Sequence, residues 1–309
     1  MSRPEFATEE FTPADRALLA RAADYLTANP ATPARDLELA TAVEFLRVSA
    51  LPPNVAFARA VAEVRPSAAR PGIKIGLVPG AFYREHTHTG ADGALVRGFL
   101  ARLGYEAELI PVHSFGSLAD NARIIAEWVK RQSTAPVILI SLSKGACDVR
   151  TALPQLSAAG RTQVIAWISL SGISTGTPLV EWLRRRPWRW WGVWLLLRLR
   201  RQRIAVLQEL RHGPDAPLAR WPQLPPGLQV VHVHGFPLRR HLNHPWAAKA
   251  YRRLAPLGPN DGGSVLLADV AHWPGLVVPL WGVDHYMQPK HDITARLSRV
   301  FQVVLERCE

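Results

Sequence analysis

From Ile73 to the C-terminus, short apolar runs alternate with longer stretches of helical character, and this alternation restricts the fold more than any other feature. The apolar runs cover 73–78, 106–112, 136–141, 163–170, 228–234 and 276–282. Helices are predicted over 92–103, over 118–131 with Ser117 as N-cap, over 144–157, and over 293–306 at the end of the chain. Taken alone, so short an apolar run fits a strand or a buried helix equally well. Regular spacing between helical stretches decides for strands. The repeated strand–helix–strand order predicts an α/β fold, a mostly parallel sheet with helices on both faces.

Residues 1–66 carry no strand pattern. Three helices are expected there, opened by Pro13, Pro33 and Pro53, since proline costs little in a first turn where its missing N–H has no partner to lose. A stretch rich in Pro, Ala and Arg at 66–71 reads as a linker. The expected organisation is a helical N-terminal region over 1–66 and an α/β core over 72–309. More than fifty residues separate the runs at 163–170 and 228–234, so a cap insertion is expected at about 173–226.

Composition narrows the function classes. The chain has 309 residues, 48% of them hydrophobic, enough for a sizeable core. Its two cysteines, Cys147 and Cys308, are placed too unfavourably for a structural disulfide and fit a reducing compartment. The first ten residues lack a basic stretch followed by an apolar one, so no secretory leader is expected. Apolar windows fall short of the roughly 18 residues that a spanning helix needs. A cytoplasmic protein, at most peripheral to a membrane, is the expectation. The net charge of +12 invites a nucleic-acid reading, but it is local: 182–203 holds eight arginines and no acid. No nucleic-acid-binding motif accompanies it, so nucleic acid is not the favoured partner.

The most informative stretch is Ser141-Leu142-Ser143-Lys144-Gly145, where a predicted strand runs through a sharp turn into a helix. A serine on such a turn is held exposed at the C-terminal edge of a sheet with a helix N-terminus behind it. The turn demands small residues two before and two after the serine, which Ser141 and Gly145 satisfy; the usual pattern has glycine at both. Ser143 is thus a candidate nucleophile, the alternative being a plain helix cap. A second Ser-Leu-Ser string at Ser169–Ser171 leads into a loop instead of a helix and reads as structural.

A serine hydroxyl needs a base, and the base an orienting acid. On this kind of turn the chain order is serine, acid, histidine. Asp261 in the turn Asn260-Asp261-Gly262-Gly263 and His285 after the last core strand satisfy that order. Asp269 is the alternative acid and Asp284 a weaker one. The pairs His86/His88 and His232/His234 hint at metal, but no third ligand stands at a suitable spacing. No metal or cofactor is expected.

On Ser141–Gly145, Asn260-Asp261-Gly262 and Asp284-His285, the region from Ile73 onward resembles the α/β-hydrolase superfamily, and within it lipases and esterases. The resemblance implies a Ser143–His285–Asp261 triad and a first strand at 73–78 followed by an oxyanion loop. It further implies that Lys144 and the loop residues Ala81 and Phe82 supply backbone donors to the oxyanion, and that the family's first two strands are replaced by the N-terminal helices. Arg84 in that loop would meet an anionic substrate group or pair with Glu85. The implied activity is carboxylic-ester hydrolysis; thioesterase, amidase, acyltransferase and non-catalytic binding remain alternatives. The cap would carry five of the eleven tryptophans within 182–203. Two readings stand there: contact with an anionic membrane that delivers a lipid-like ester, or a cap packed over an apolar pocket with solvated arginines.

Overall fold

The computed structural model describes residues 11–65, 69–200, 202–289 and 291–308. The segment read above for a leader and residues 66–68 of the expected linker lie outside them. Six strands form one sheet: β1 (Lys74–Val78), β2 (Ala107–Leu109), β3 (Val137–Leu142), β4 (Val164–Leu170), β5 (Gln229–Phe236) and β6 (Leu276–Trp281). Their order is β2-β1-β3-β4-β5-β6, and every neighbouring pair is parallel. The helices are α1 (Pro13–Ala28), α2 (Leu37–Ser49), α3 (Pro52–Glu63), α4 (Ala94–Arg102), α5 (Leu118–Arg131), α6 (Gly145–Ala152), α7 (Ala158–Gln163), α8 (Pro178–Arg184), α9 (Pro187–Leu199), α10 (Ala205–Glu209), α11 (Pro245–Leu254), α12 (Leu267–Val270) and α13 (Thr294–Arg307).

Alternation along each strand sorts the core into two faces. Ile138 and Ile140 of β3, with Leu77, Val231 and Val233, pack under Val96 and Leu100 of α4 and Val300 and Val304 of α13. Val137, Leu139, Trp167 and Val230 point the other way, onto Ile125 and Trp128 of α5 and Val149 of α6. Both faces are covered, so the strands are apolar throughout: all six residues of β3 are buried.

The N-terminal helices complete this core at the β6 end. Phe45 of α2 meets the rings of Trp281 and Phe236 edge-on at 5.1 and 5.7 Å. Burying a side chain of that size contributes roughly 1.5–3 kcal/mol. Asn54 of α3 does a second job: its Oδ1 accepts from Val277 N at 2.9 Å, satisfying a donor on the edge strand β6.

Two helix ends differ from the sequence reading by more than two residues. The second helix starts at Leu37, not at Pro33, because the Asp36 carboxylate accepts from Leu39 N at 2.8 Å and fixes the first turn there. The helix expected over 144–157 stops at Ala152. Pro154 forces a short 3₁₀ turn, and Ser157 then caps a separate α7 by accepting from Gly160 N at 3.1 Å.

Candidate active site

Ser143 occupies the turn between β3 and α6 with φ +47°, a left-handed conformation that costs energy in any residue other than glycine. Backbone bonds hold it there. Ser143 N donates to Leu170 O at 3.1 Å, and Ser143 O accepts from Ile173 N at 3.0 Å. Gly145 is required by contact: a Cβ would lie 2.6 Å from Val78 O and 2.7 Å from Pro79 O, so only glycine lets α6 start against the end of β1. Ser141 fits where glycine is usual because its buried hydroxyl accepts from Trp167 Nε1 at 2.8 Å. The second string differs. Ser171 also has a positive φ, but its buried hydroxyl has no partner, and the following residues form a loop.

The structure brings Ser143, His285 and Asp261 together. Ser143 Oγ is 2.9 Å from His285 Nε2, and His285 Nδ1 is 2.7 Å from Asp261 Oδ2. Asp261 is fully buried in the turn after α11, with Oδ1 accepting from the backbone N–H groups of Gly263, Ser264 and Val265 at 2.9, 2.8 and 3.0 Å. Burial pushes the Asp261 carboxyl up, but the charges and hydrogen bonds of His285 and His234 overcome it and hold the group ionised, far below the usual range. For His285 the sign reverses. Burial opposes its protonation, yet the Asp261 carboxylate carries its pKa above the ordinary imidazole value. A Cβ on Gly263 would fall 2.0 Å from His285 Cγ, so the ring rests on that glycine. The other two acids are occupied elsewhere: Asp269 pairs with His212 at 2.8 Å, and Asp284 accepts from Tyr286 N at 3.0 Å.

The expected oxyanion donors divide. Phe82 N donates to Ser114 O at 3.0 Å, so this amide is not open to an oxyanion; the positive φ of Phe82, whose ring stacks on Phe115 at 4.6 Å, turns it away. That corrects one of the three donors named from the sequence. The amides of Ala81 and Lys144 have no such acceptor among the described residues. Gly80 lies beside the nucleophile, its missing Cβ 3.4 Å from that of Ser143. Arg84 does not pair with Glu85: its Nε donates to Tyr83 Oη at 2.8 Å, while Glu85 meets Ser114 and Gln202.

Three features escaped sequence reasoning. His234, wholly buried on β5, places Nε2 3.4 Å from Asp261 Oδ2. This is long for a hydrogen bond, and neither ring nitrogen has another partner. His232, on the same strand face, reaches Pro274 O at 3.1 Å, and burial drops its pKa to about 3. A histidine pair on one face of a strand leading toward the acid turn was the available signal. Second, the Lys144 side chain is buried and pairs with Asp148 at 2.7 Å. Asn121 donates to the other Asp148 oxygen at 3.0 Å, tying the elbow to α5. Third, His86, His88, His244, Trp246 and Tyr286 form a chain of ring contacts that ends beside His285. No set of three or more His, Cys, Asp or Glu among the described residues is arranged to hold a metal ion.

Helices α8, α9 and α10 lie within the long insert. Val180, Leu197, Val206, Leu207 and Leu210 pack with Phe115, Ile173 and Cys147, and Phe82, Trp190 and Val193 join this cluster. Trp188 and Trp191 instead face outward, 89% and 60% exposed. Open cavities of about 620 and 320 Å³ flank the C-terminal end of α9; neither is lined by Ser143 or His285. No described helix is long and apolar enough to cross a membrane.

This sheet order, with a serine on the β3–α6 turn facing a histidine and a buried aspartate, defines the α/β-hydrolase fold. Among solved structures, the chain is similar to the metagenomic carboxyl esterase MGS0156, with a TM-score of 0.62 and 22% identity over 79% of this chain and 78% of that one. It is similar also to the mature form of the Bacillus licheniformis lipase BlEst2, with a TM-score of 0.52 and 19% identity over 73% and 89%. No family model and no curated protein matches the chain by sequence.

Proposed function

We propose that the protein is a serine hydrolase that cleaves carboxylic esters through an acyl-enzyme intermediate. The observation that carries this reading is the continuous contact Ser143 Oγ–His285 Nε2–Asp261, at 2.9 and 2.7 Å, on a turn strained in the way a presented nucleophile requires. Similarity to a carboxyl esterase and a lipase supports the choice of ester. In this reading Ser143 Oγ attacks the acyl carbon while His285 Nε2 takes its proton. Asp261 keeps the proton of His285 on Nδ1 and stabilises the imidazolium. The N–H groups of Lys144 and Ala81 receive the oxyanion, a contribution on the order of 10²–10³ in rate per donor. His285 then returns the proton to the leaving alcohol, and water repeats the cycle on the acyl-enzyme. The apolar cluster of Phe82, Phe115 and Ile173 beside the turn favours an apolar acyl chain.

The test is hydrolysis of p-nitrophenyl esters of graded acyl length, with thioester and amide counterparts measured alongside. Turnover of the esters that Ser143→Ala lowers by about 10⁴ or more supports the reading. Preferred cleavage of a thioester or amide would move the assignment to that leaving group. Undiminished turnover in Ser143→Ala would end it.

A further inference from the structure

Three guanidinium groups surround the Trp182 ring at the junction of α8 and α9. The central carbons of Arg186, Arg253 and Arg189 lie 4.1, 4.3 and 4.9 Å from the ring centroid. Two of the arginines come from the insert and the third from α11 of the core. None of them makes an ion pair among the described residues; the nearby Glu181 is engaged by Arg184 and Arg211. Burial and the like charges of Arg189, Arg186 and Arg252 all push the Arg253 pKa down, and no carboxylate opposes them. Helix α9 begins at this point, with Arg186 at its N-cap and no side chain capping the first turn. Unpaired backbone N–H groups and the positive end of the helix dipole add to the same field. So much positive charge gathered without a counter-charge is unfavourable until an anion arrives. Arg186 also donates to Trp182 O at 2.8 Å, which fixes its guanidinium against the ring. Guanidinium forks match tetrahedral oxyanions bidentately, and three of them gathered around one ring offer a phosphate more donors than a carboxylate with its two oxygens can use.

A second observation lies on α9 itself. Trp190, Val193 and Leu197 face inward, while Trp188, Trp191, Leu195 and Leu199 recur at helical spacing on the opposite side. Those four are 89%, 60%, 51% and 73% exposed. The result is an apolar stripe open to solvent, and its first residue, Trp188, lies between Arg186 and Arg189 in sequence.

We infer that Arg186, Arg189 and Arg253, arranged around Trp182, bind a phosphate group, and that the phosphate belongs to the headgroup of an anionic lipid. The outer stripe of α9 enters the same lipid surface. Arginines hold the headgroup, and Trp188 sits at the boundary between headgroup and acyl chain. The site does not depend on the chemistry at Ser143.

The test uses the full chain at physiological salt. Vesicles of phosphatidylcholine with and without phosphatidylglycerol report lipid binding, and inorganic phosphate against chloride at matched ionic strength reports the anion site by thermal shift. The wild type is expected to bind phosphatidylglycerol vesicles at least tenfold better than pure phosphatidylcholine and to melt higher in phosphate than in chloride. The triple variant Arg186→Gln, Arg189→Gln, Arg253→Gln is expected to lose both responses. Trp188→Ser should lose vesicle binding and keep the phosphate response. A control triple removing the same charge from the exposed Arg59, Lys130 and Arg131 should keep both. Equal losses in the control would reduce the effect to net charge and overturn the site, as would unchanged vesicle binding in the arginine triple. A phosphate response without vesicle binding in the wild type would overturn the lipid assignment and point to a soluble phosphate.

Discussion

His234 Nε2 lies 3.4 Å from Asp261 Oδ2, the oxygen that His285 Nδ1 reaches at 2.7 Å, so two buried imidazoles share one carboxylate oxygen. His234 and His285 both help to lower the Asp261 pKa, so His234 competes for the field that the carboxylate exerts on His285. The other ionisable groups around this pair are Asp284, Tyr286 and His232. His234→Leu should therefore raise the His285 pKa and move the acid limb of kcat/KM to higher pH. His234→Gln, which keeps an N–H, should restore the wild-type limb. An unmoved limb in His234→Leu would leave His234 as core packing only.

The wild-type pH profile follows from the direction of the His285 shift. Catalysis needs the neutral imidazole, and Asp261 raises its pKa, so kcat/KM should climb with pH through an apparent pKa above the ordinary value near 6.5. Asp261 stays ionised throughout that range, since its own pKa is depressed. Asp261→Asn should lower kcat by about 10⁴ and shift the limb down. A limb at or below the ordinary imidazole value would contradict the buried ionised Asp261.

Ser141→Gly converts the turn to its usual sequence, yet it should cost stability. The substitution removes the acceptor of Trp167 Nε1 and leaves a buried donor unmet, a loss of about 1–3 kcal/mol. Activity should survive, because glycine suits the turn. Chemical denaturation with kinetics in parallel checks both; a stabilised Ser141→Gly would show that the Trp167 contact contributes nothing.

Burial raises the Asp148 pKa against the pull of Lys144, so the pair adds little net stability while being costly to break. Asp148→Leu alone leaves a buried ammonium and should destabilise by about 3–5 kcal/mol. The double variant Lys144→Met, Asp148→Leu should recover most of that loss. A double variant as unstable as the single one would mean that the charges themselves, beyond their burial, support the elbow.

The strands were legible because a parallel sheet covered on both faces turns each strand into an unbroken apolar run between turns. The Ser143 turn was legible because Ser141, Ser143 and Gly145 are contiguous and each answers a local steric demand. Where the outcome depended on residues distant in sequence, the reading stopped. The Phe82 amide is turned away by Ser114, and His234 finds Asp261 only once β5 and the turn after α11 are assembled. Helix α9 hid its two faces because apolar residues lie all around it, which leaves no periodic signal to read. Arg253 joined the insert arginines only through the packing of α11 against α8.

Labelling of the full chain with a fluorophosphonate probe at neutral pH, the adduct mapped by mass spectrometry, tests whether Ser143 is the activated nucleophile. One adduct is expected, on Ser143, absent in Ser143→Ala and slowed by orders of magnitude in His285→Ala. An adduct on Ser171, or no adduct on a folded chain, would contradict it.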